Sequence, residues 1–149
     1  MGAKTSSLMA HINDLNDRGD YEGIIKFIEA LTPEEQTSDM VSQLARAYNN
    51  LAQAGETQPL EKALQLLDSI EPDERNNHYW HFRRAYSLYC LDRVTESLEH
   101  WEKALEYKPE DEDTKQFIQW SHEQLNALTF YHPFRERVVD VWKQFSESE

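Results

Sequence analysis

Histidine and cysteine are the side chains of this sequence that could do chemistry, and their spacing decides which chemistry is open to them. The chain has six histidines and one cysteine, Cys90. His78 and His81 are three residues apart, so on a helix they share a face and could both approach one metal ion. No third ligand is evident near them in the sequence, whereas a structural zinc ion takes four ligands. The sequence therefore predicts no metal site.

Cys90 could act as a nucleophile only if a neighbouring group held it as a thiolate. No activating cation is evident beside it, and a helical cysteine is more often a small packed apolar side chain. The chain also has no glycine-rich phosphate loop and no nucleophile elbow. We therefore expect no cofactor and no enzymatic activity. Because a single cysteine cannot form an intramolecular disulfide, we expect a reducing, cytoplasmic compartment.

The net charge of the chain indicates which classes of partner it can bind. Its 28 acidic and 15 basic residues give a net charge of −13, which repels phosphate backbones and anionic lipid headgroups. We therefore expect no nucleic-acid and no membrane partner, and a basic or amphipathic polypeptide is the class that this charge favours. No apolar run reaches the roughly 20 residues of a membrane span, and the N-terminus lacks the apolar stretch of a secretory signal. Gly2 and Ser6 fit a loose myristoylation pattern, but no basic cluster supplies the second membrane anchor.

Helical periodicity runs through nearly the whole chain and predicts a set of helix pairs. An amphipathic C-terminal segment follows them, and two interpretations of that segment remain open. It either packs back on the end of the helical stack as a cap or begins a further domain. The predicted units are three helix pairs over about 5–33, 37–72 and 76–109, a capping helix over 111–128, and a C-terminal helix within 129–149.

Glycine, aspartate and proline residues mark the ends of these helices. Gly19 suits the C-terminal cap of one helix, and Asp20 suits the N-cap of the next. Pro59 fits the first turn of its helix, where a missing N–H is no loss. Pro72 and Pro109 are expected to stop the second and third pairs, because proline cannot continue a helix.

Small residues occupy fixed places in the third pair, with Ala85 in its first helix and Ser97 and Ala104 in its second. Trp101 stands between them, and Pro109 ends the pair. This pattern resembles the tetratricopeptide repeat, a helix pair of about 34 residues. The resemblance implies an all-α fold, a right-handed α-α superhelix of three helix pairs with C-terminal capping helices. Small residues are needed wherever two helices cross closely.

The sequence departs from the repeat pattern at several positions. His81 stands where the family favours Trp, and Trp80, one residue away, can supply the missing bulk. The second pair has a longer interhelix loop, and Ile24 replaces a usual alanine in the first pair. The register of the third pair is therefore open by one residue.

The resemblance also implies a concave surface, lined by the first helix of each pair, where such proteins hold a partner polypeptide. The aromatic residues there either pack beneath the next elements or form a floor for a partner. The polar residues either form a solvated face or bond a partner, Arg46 and Asn50 through its backbone or carboxylate. The candidate residues are Asn13, Ser42, Arg46, Asn49, Asn50, Tyr79, Phe82, Arg83, Tyr86 and Tyr89.

One branch of the family clamps the C-terminal carboxylate of chaperone tails with a Lys, Asn, Asn, Lys, Arg set. Only Asn13 and Arg83 fall on matching positions, whereas Met9, Gln43 and Tyr79 replace the other three. Both lysines are missing, and such a clamp needs converging positive charge to offset carboxylate desolvation. The sequence therefore argues against this clamp.

Two classes of function follow. The first is a protein-interaction scaffold that binds a partner in the concave groove, as an adaptor, a chaperone of the kind that guards secretion substrates, or an immunity-type protein. The alternative is a structural module that self-associates, for example as a homodimer, through its terminal helices.

Overall fold

The computed structural model describes residues 2–127, and all regular structure in that range is helical. The predicted C-terminal helix within 129–149 lies outside the described residues. Within residues 2–127, no helix has the length and apolarity needed to cross a bilayer. The helices are α1 (Gly2–Asp17), α2 (Tyr21–Glu29), α3 (Ser38–Leu51), α4 (Gln58–Ser69), α5 (Glu71–Glu74), α6 (His78–Cys90), α7 (Val94–Tyr107) and α8 (112–127, to the end of the described part).

The helices stack in chain order as pairs. Helix α3 packs against α2 on one side and α4 on the other, and α6 packs against α4 and α7. Each pair therefore contacts the pairs beside it, which is the arrangement of a helical repeat protein. The predicted all-α class is confirmed.

The residues that mark the helix ends act as the sequence predicts. Gly19 adopts a φ of 67°, which a residue without a Cβ reaches at little cost. The Asp20 side chain caps α2 by accepting a hydrogen bond from the Gly23 amide at 2.9 Å. Pro59 lies in the first turn of α4, and α7 ends before Pro109.

The structure around Pro72 differs from the sequence prediction. Helix α4 ends at Ser69, as a proline stop predicts, but Pro72 then lies in the first turn of the short helix α5. Proline is compatible with that position because the first amides of a helix have no intrahelical partner. The acidic side chains of Asp73 and Glu74 favour the same turn through the helix dipole. The sequence prediction missed α5.

The helix crossings are filled by small side chains. Ala45, Ala85, Ser97 and Ala104 are each fully buried, at 0% exposure. Trp101 is equally enclosed and supplies the bulk beside them. Because closely packed protein interiors accept little extra volume, the side chains at these positions set how closely the helices approach each other.

The register question in the third pair has a definite answer. Trp80 is buried against the preceding pair, and its indole Nε1 donates to the Leu67 carbonyl at 2.8 Å. His81 is also buried, but its ring meets His100 of α7. Trp80 thus supplies the interface between pairs, and His81 supplies the interface within its own pair.

Candidate functional site

A groove of about 610 Å³ runs over the first helices of the pairs. Its volume falls in the range of about 300–1,000 Å³ that ligand-binding clefts occupy. Helices α1, α3 and α6, the α5–α6 junction and the N-terminal end of α8 all contribute to it. The lining residues are Met9, Asp39, Ser42, Gln43, Arg46, Asn49, Asn50, Glu74, Asn77, His78, Tyr79, Phe82, Arg83, Tyr86, Asp111 and Asp113.

Two of the ten candidate residues do not line this groove. Asn13 is exposed on α1, although Met9, one turn earlier on that helix, does line it. Tyr89 lines a separate cleft that it shares with Trp120 of α8. The eight that line the groove are Ser42, Arg46, Asn49, Asn50, Tyr79, Phe82, Arg83 and Tyr86.

Ser42 and Asn49 line the groove but are occupied by bonds to α6. Arg83 Nη1 donates to Ser42 Oγ at 2.5 Å. Asn49 Nδ2 donates to the Arg83 carbonyl at 3.0 Å, and Asn49 Oδ1 accepts from Ser87 Oγ at 2.6 Å. Both residues are buried, so neither belongs to a solvated polar face. Their role in this structure is to tie α3 to α6.

Arg46 and Asn50 are placed differently on the same helix. Arg46 is half-buried and Asn50 is exposed. Neither side chain forms a hydrogen bond or ion pair with another residue in the described part of the chain. Their donors therefore point to a groove in which a ligand could satisfy them.

Arg83 carries a positive charge that is partly withdrawn from water but still lines the groove. Burial lowers the pKa of its guanidinium to about 10, and the nearby charge of Arg46 acts in the same direction. The guanidinium carbon lies 5.4 Å from the centre of the Tyr79 ring. Between residues 2 and 127, no carboxylate forms an ion pair with it. The groove thus holds two arginines without a counter-charge in direct contact.

Carboxylates line the groove at the N-terminal ends of its helices. Glu74 is buried, and Asn77 Nδ2 donates to it at 2.9 Å. Burial raises the pKa of Glu74, and the charge of Asp39 raises it further. Asp111 caps α8 by accepting from the Thr114 amide at 3.1 Å. The groove is therefore acidic at one edge.

Tyr79, Phe82, Tyr86 and Tyr89 form an aromatic row along α6. Most of this row packs within the protein. Phe82, Tyr86 and Tyr89 meet Phe117 of α8, with ring centroids 6.0, 5.9 and 5.4 Å away. Phe117 in turn stacks on Trp101, with centroids 4.4 Å apart. Of the two alternatives for this row, packing under the capping helix describes most of these contacts. Phe82 and Tyr86 still present part of their rings to the groove.

Tyr79 differs from the rest of the row because 47% of it is exposed. Lys108 Nζ donates to the Tyr79 hydroxyl at 2.6 Å and lies 4.4 Å from the ring centre. The exposed ring therefore stands at the rim of the groove with a cation on it, a contact worth about 0.5–1 kcal/mol at such a site.

Several lining residues were missed from the sequence. Asp39, Gln43, Arg46 and Asn50 follow one face of α3, so the same periodicity that selected Arg46 could have found Asp39. Glu74 could not be found this way, because it belongs to α5, which the sequence did not reveal.

Histidine and cysteine are the other reactive side chains of the described residues. Within residues 2–127, no group of three or more histidine, cysteine, aspartate or glutamate side chains could hold a metal ion. Cys90 is exposed, so it is not the packed apolar side chain that the sequence suggested. Partial desolvation still raises the pKa of its thiol, which opposes the thiolate that a nucleophile needs.

The sequence matches no family model and no curated protein. Its fold, however, is similar to that of a solved structure described as the first TPR of Spaghetti (RPAP3) bound to HSP90 peptide SRMEEVD. The likeness has a TM-score of 0.69 and covers 83% of this chain and 97% of that chain, at 16% sequence identity. At this identity the likeness speaks to the fold alone. The predicted α-α superhelix of the tetratricopeptide type is confirmed.

Proposed function

We propose that this chain is a protein-interaction module that binds a segment of a partner polypeptide in the groove between α3 and α6. The observation that carries the proposal is the pair of groove side chains, Arg46 and Asn50, whose donors have no partner within residues 2–127. Peptide backbone carbonyls and carboxylates are the acceptors that such donors bind.

The likeness to a peptide-bound domain supports this use of the fold but does not supply the ligand. That domain is bound to the HSP90 peptide SRMEEVD. Here Met9 and Tyr79 line the groove at the positions where the carboxylate clamp has lysine. Without those cations, a C-terminal carboxylate would lose much of the charge that offsets its desolvation. We therefore propose a different peptide as the partner.

The charge of the whole chain favours a partner with basic or amphipathic character. A net charge of −13 attracts such a segment over distances of about a Debye length and raises its rate of association. An adaptor, a chaperone and an immunity-type protein would all use this mode of binding. A cytoplasmic location remains our proposal from the single cysteine.

A photocrosslinker placed in the groove tests the proposal. A benzophenone amino acid at position 50 is compared with one at Gln65, which is exposed on α4 outside the groove. In lysate of the cells that make the protein, adducts are expected from position 50 only. Arg46→Glu is expected to abolish the adducts from position 50. Lys62→Glu makes the same change in net charge at an exposed position of α4 and is expected to leave them intact. Equal adducts from both positions, or adducts indifferent to Arg46→Glu, contradict groove binding.

Self-association is the second candidate, and one observation favours it. Trp120 is 44% exposed on α8, beside a cleft that Tyr89 and Ala127 also line. An exposed apolar side chain that continues into a largely apolar cleft forms the kind of contiguous patch that marks contact surfaces. If the chain is a dimer in size-exclusion chromatography, Trp120→Glu is expected to shift it to a monomer. A monomer at all concentrations rules this candidate out.

A further inference from the structure

The charged residues of the groove lie at two levels, that is, at two distances from the N-terminal ends of its helices. Hydrogen bonds between α3 and α6 show how these two helices are aligned. Ser42 of α3 meets Arg83 of α6, and Asn49, two turns later on α3, meets Ser87, one turn later on α6. The contacts advance in the same direction along both helices. Helices α3 and α6 therefore run in the same direction along the groove, with their N-terminal ends towards the same edge.

The first level is acidic and lies at the N-terminal ends of the helices. Asp39 is the second residue of α3, Glu74 lies four residues before α6, and Asp111 and Asp113 flank the start of α8. Glu74 is buried, and it forms no ion pair within residues 2–127. We call Asp39, Glu74, Asp111 and Asp113 the acidic level.

The second level is basic and lies further from the N-terminal ends of the same helices. Arg46 follows Asp39 by seven residues, which at 1.5 Å per residue places it roughly 10 Å further along α3. Arg83 follows the start of α6 by five residues, roughly 8 Å along that helix. The Arg83 guanidinium reaches Ser42, one turn before Arg46 on α3, and the charge of Arg46 acts on Arg83, so the two arginines lie beside each other. We call this pair the basic level.

Within residues 2–127 no ion pair joins the two levels, although the charges of Asp39 and Glu74 act on Arg83 without direct contact. The protein pairs most of its other cations. The other cations that form no ion pair with a carboxylate in the described part are Lys26, Lys62 and Lys108, and all three are exposed. Only Arg46 and Arg83 are both unpaired and half-buried in that part of the chain. The cations that form ion pairs there are Lys4, Arg18, Arg75, Arg84, Arg93, Lys103 and Lys115.

An unpaired and partly desolvated charge is costly unless a binding partner completes it. Resting on the proposed function, we propose that the partner segment is of mixed charge. It carries an acidic side chain bound between Arg46 and Arg83 and a basic side chain bound at the acidic level. Because about three residues of extended chain span 10 Å, the two charged residues lie within about three positions of each other.

The same arrangement disfavours other segments. A purely acidic segment brings its remaining carboxylates against the acidic level, and a purely basic one meets the two arginines. Like-charge contacts of this kind suppress wrong partners in known interfaces. The groove therefore selects by repulsion as well as by attraction.

A displayed library of random dodecapeptides tests the proposal, with the whole chain as bait. The wild-type protein is expected to enrich peptides with an acidic and a basic residue within three positions, several-fold above the library frequency. Arg46→Glu is expected to lose the acidic preference and Asp39→Lys the basic one. Lys62→Glu is expected to keep both, because Lys62 lies outside the groove. Circular dichroism of each variant checks that it is folded.

A double-mutant cycle on one selected peptide then measures the contact itself. Replacing the peptide's acidic residue by its amide is expected to weaken binding to the wild-type protein at least about tenfold. The same replacement is expected to cost much less against Arg46→Gln, because its partner is already gone.

The possible failures are distinguishable. Peptides that lose binding to Tyr86→Ala and Arg46→Glu but show no charge preference, or a preference for one sign only, overturn the mixed-charge inference and leave groove binding standing. If no selected peptide depends on either residue, the proposed function fails, and the inference fails with it.

Discussion

Ser87 Oγ donates a hydrogen bond to Asn49 Oδ1 at 2.6 Å, which joins α6 to α3 beneath the groove. The other end of the same amide, Asn49 Nδ2, donates to the Arg83 carbonyl at 3.0 Å. Asn49 is 4% exposed and Ser87 is fully buried, so water competes little for either bond. Arg83 owes its position in the groove to this contact, because its backbone is held by Asn49 while its side chain reaches Ser42.

The first prediction concerns this contact. Asn49→Ala removes both bonds and leaves buried groups with fewer partners, so the free energy of unfolding is expected to fall by about 1–3 kcal/mol. Asn50→Ala, one residue later and exposed, is expected to change it by less than about 0.5 kcal/mol. Urea unfolding followed by far-UV circular dichroism measures both. Equal effects at the two positions would show that the buried amide does not hold α6.

The second prediction concerns the helix crossings. Ala85 is fully buried where α6 meets its neighbours, so Ala85→Leu forces extra volume into a packed interface. We expect it to lower the free energy of unfolding by about 1–3 kcal/mol. Ala10→Leu, on the exposed face of α1, adds the same atoms in water and serves as the control. A variant at position 85 as stable as the wild type would contradict the tight crossing.

Much of the fold follows from rules that act over a few residues, which is why the sequence predicts it. Gly19 and Asp20 mark a helix junction because backbone freedom and a capping carboxylate are needed there. Ala45 and Ala85 mark crossings because close helices exclude larger side chains. The short helix α5 escapes prediction because Pro72 fits both the end of one helix and the first turn of another.

The site divides in the same way. Helical periodicity places Arg46 and Asn49 on the side of α3 that faces the groove. Periodicity does not predict that Asn49 is hydrogen-bonded to α6 whereas the Arg46 side chain has no hydrogen bond to it. That difference depends on α6, which is more than 30 residues away in the sequence. The direction of Tyr89 likewise depends on Phe117, which belongs to a helix beyond the third pair. Contacts between elements, rather than positions on an element, decide which residues remain available.

The third prediction tests the role of α8 as a cap on the aromatic row. Phe117→Ala removes a ring that stacks on Trp101 and meets three rings of α6, so we expect a loss of about 2–4 kcal/mol of stability. The near-UV circular dichroism signal is expected to fall with it, because the rings around Trp101 lose their fixed packing. Trp120→Ala is the comparison on the same helix and is expected to cost less, since that side chain is 44% exposed and meets Phe117 only edge-on at 5.4 Å. A greater loss at position 120 would mean that α8 packs through a different face.

The last prediction concerns acid, and its basis is a chain of ring nitrogens between α6 and α7. His81 Nε2 lies 2.6 Å from the Arg75 carbonyl, which can only accept, so this nitrogen carries the proton. His81 Nδ1 is then an acceptor, and His100 Nδ1 must donate to it across 3.2 Å. His100 Nε2 in turn accepts from Arg84 Nε at 3.2 Å. Both rings must be neutral for all three hydrogen bonds to exist.

The direction of the pH effect follows from the pKa values. Burial, followed by the charge of Arg84, lowers the pKa of His100 to about 4, and burial also lowers the pKa of His81. An unfolded histidine titrates near 6.5, so below that pH the unfolded chain binds more protons than the folded one. Stability from this pair is therefore complete above about pH 6.5 and is lost as the pH falls towards 4. The charged groups that also act on the pair are Asp68, Arg84, Glu96, Lys103 and Glu106.

His100→Asn separates this effect from general acid sensitivity. The asparagine amide can still donate to His81, but it does not titrate, so the melting temperature is expected to fall less steeply between pH 7 and 4.5 than in the wild type. His122→Asn, at an exposed position on α8, is expected to follow the wild-type slope. Carboxylates held at low pKa, such as Asp111, lose their stabilising charge in all three proteins and so cancel in the comparison. If His100→Asn follows the wild-type slope as well, the acid response comes from those carboxylates, and the neutral histidine chain does not contribute to it.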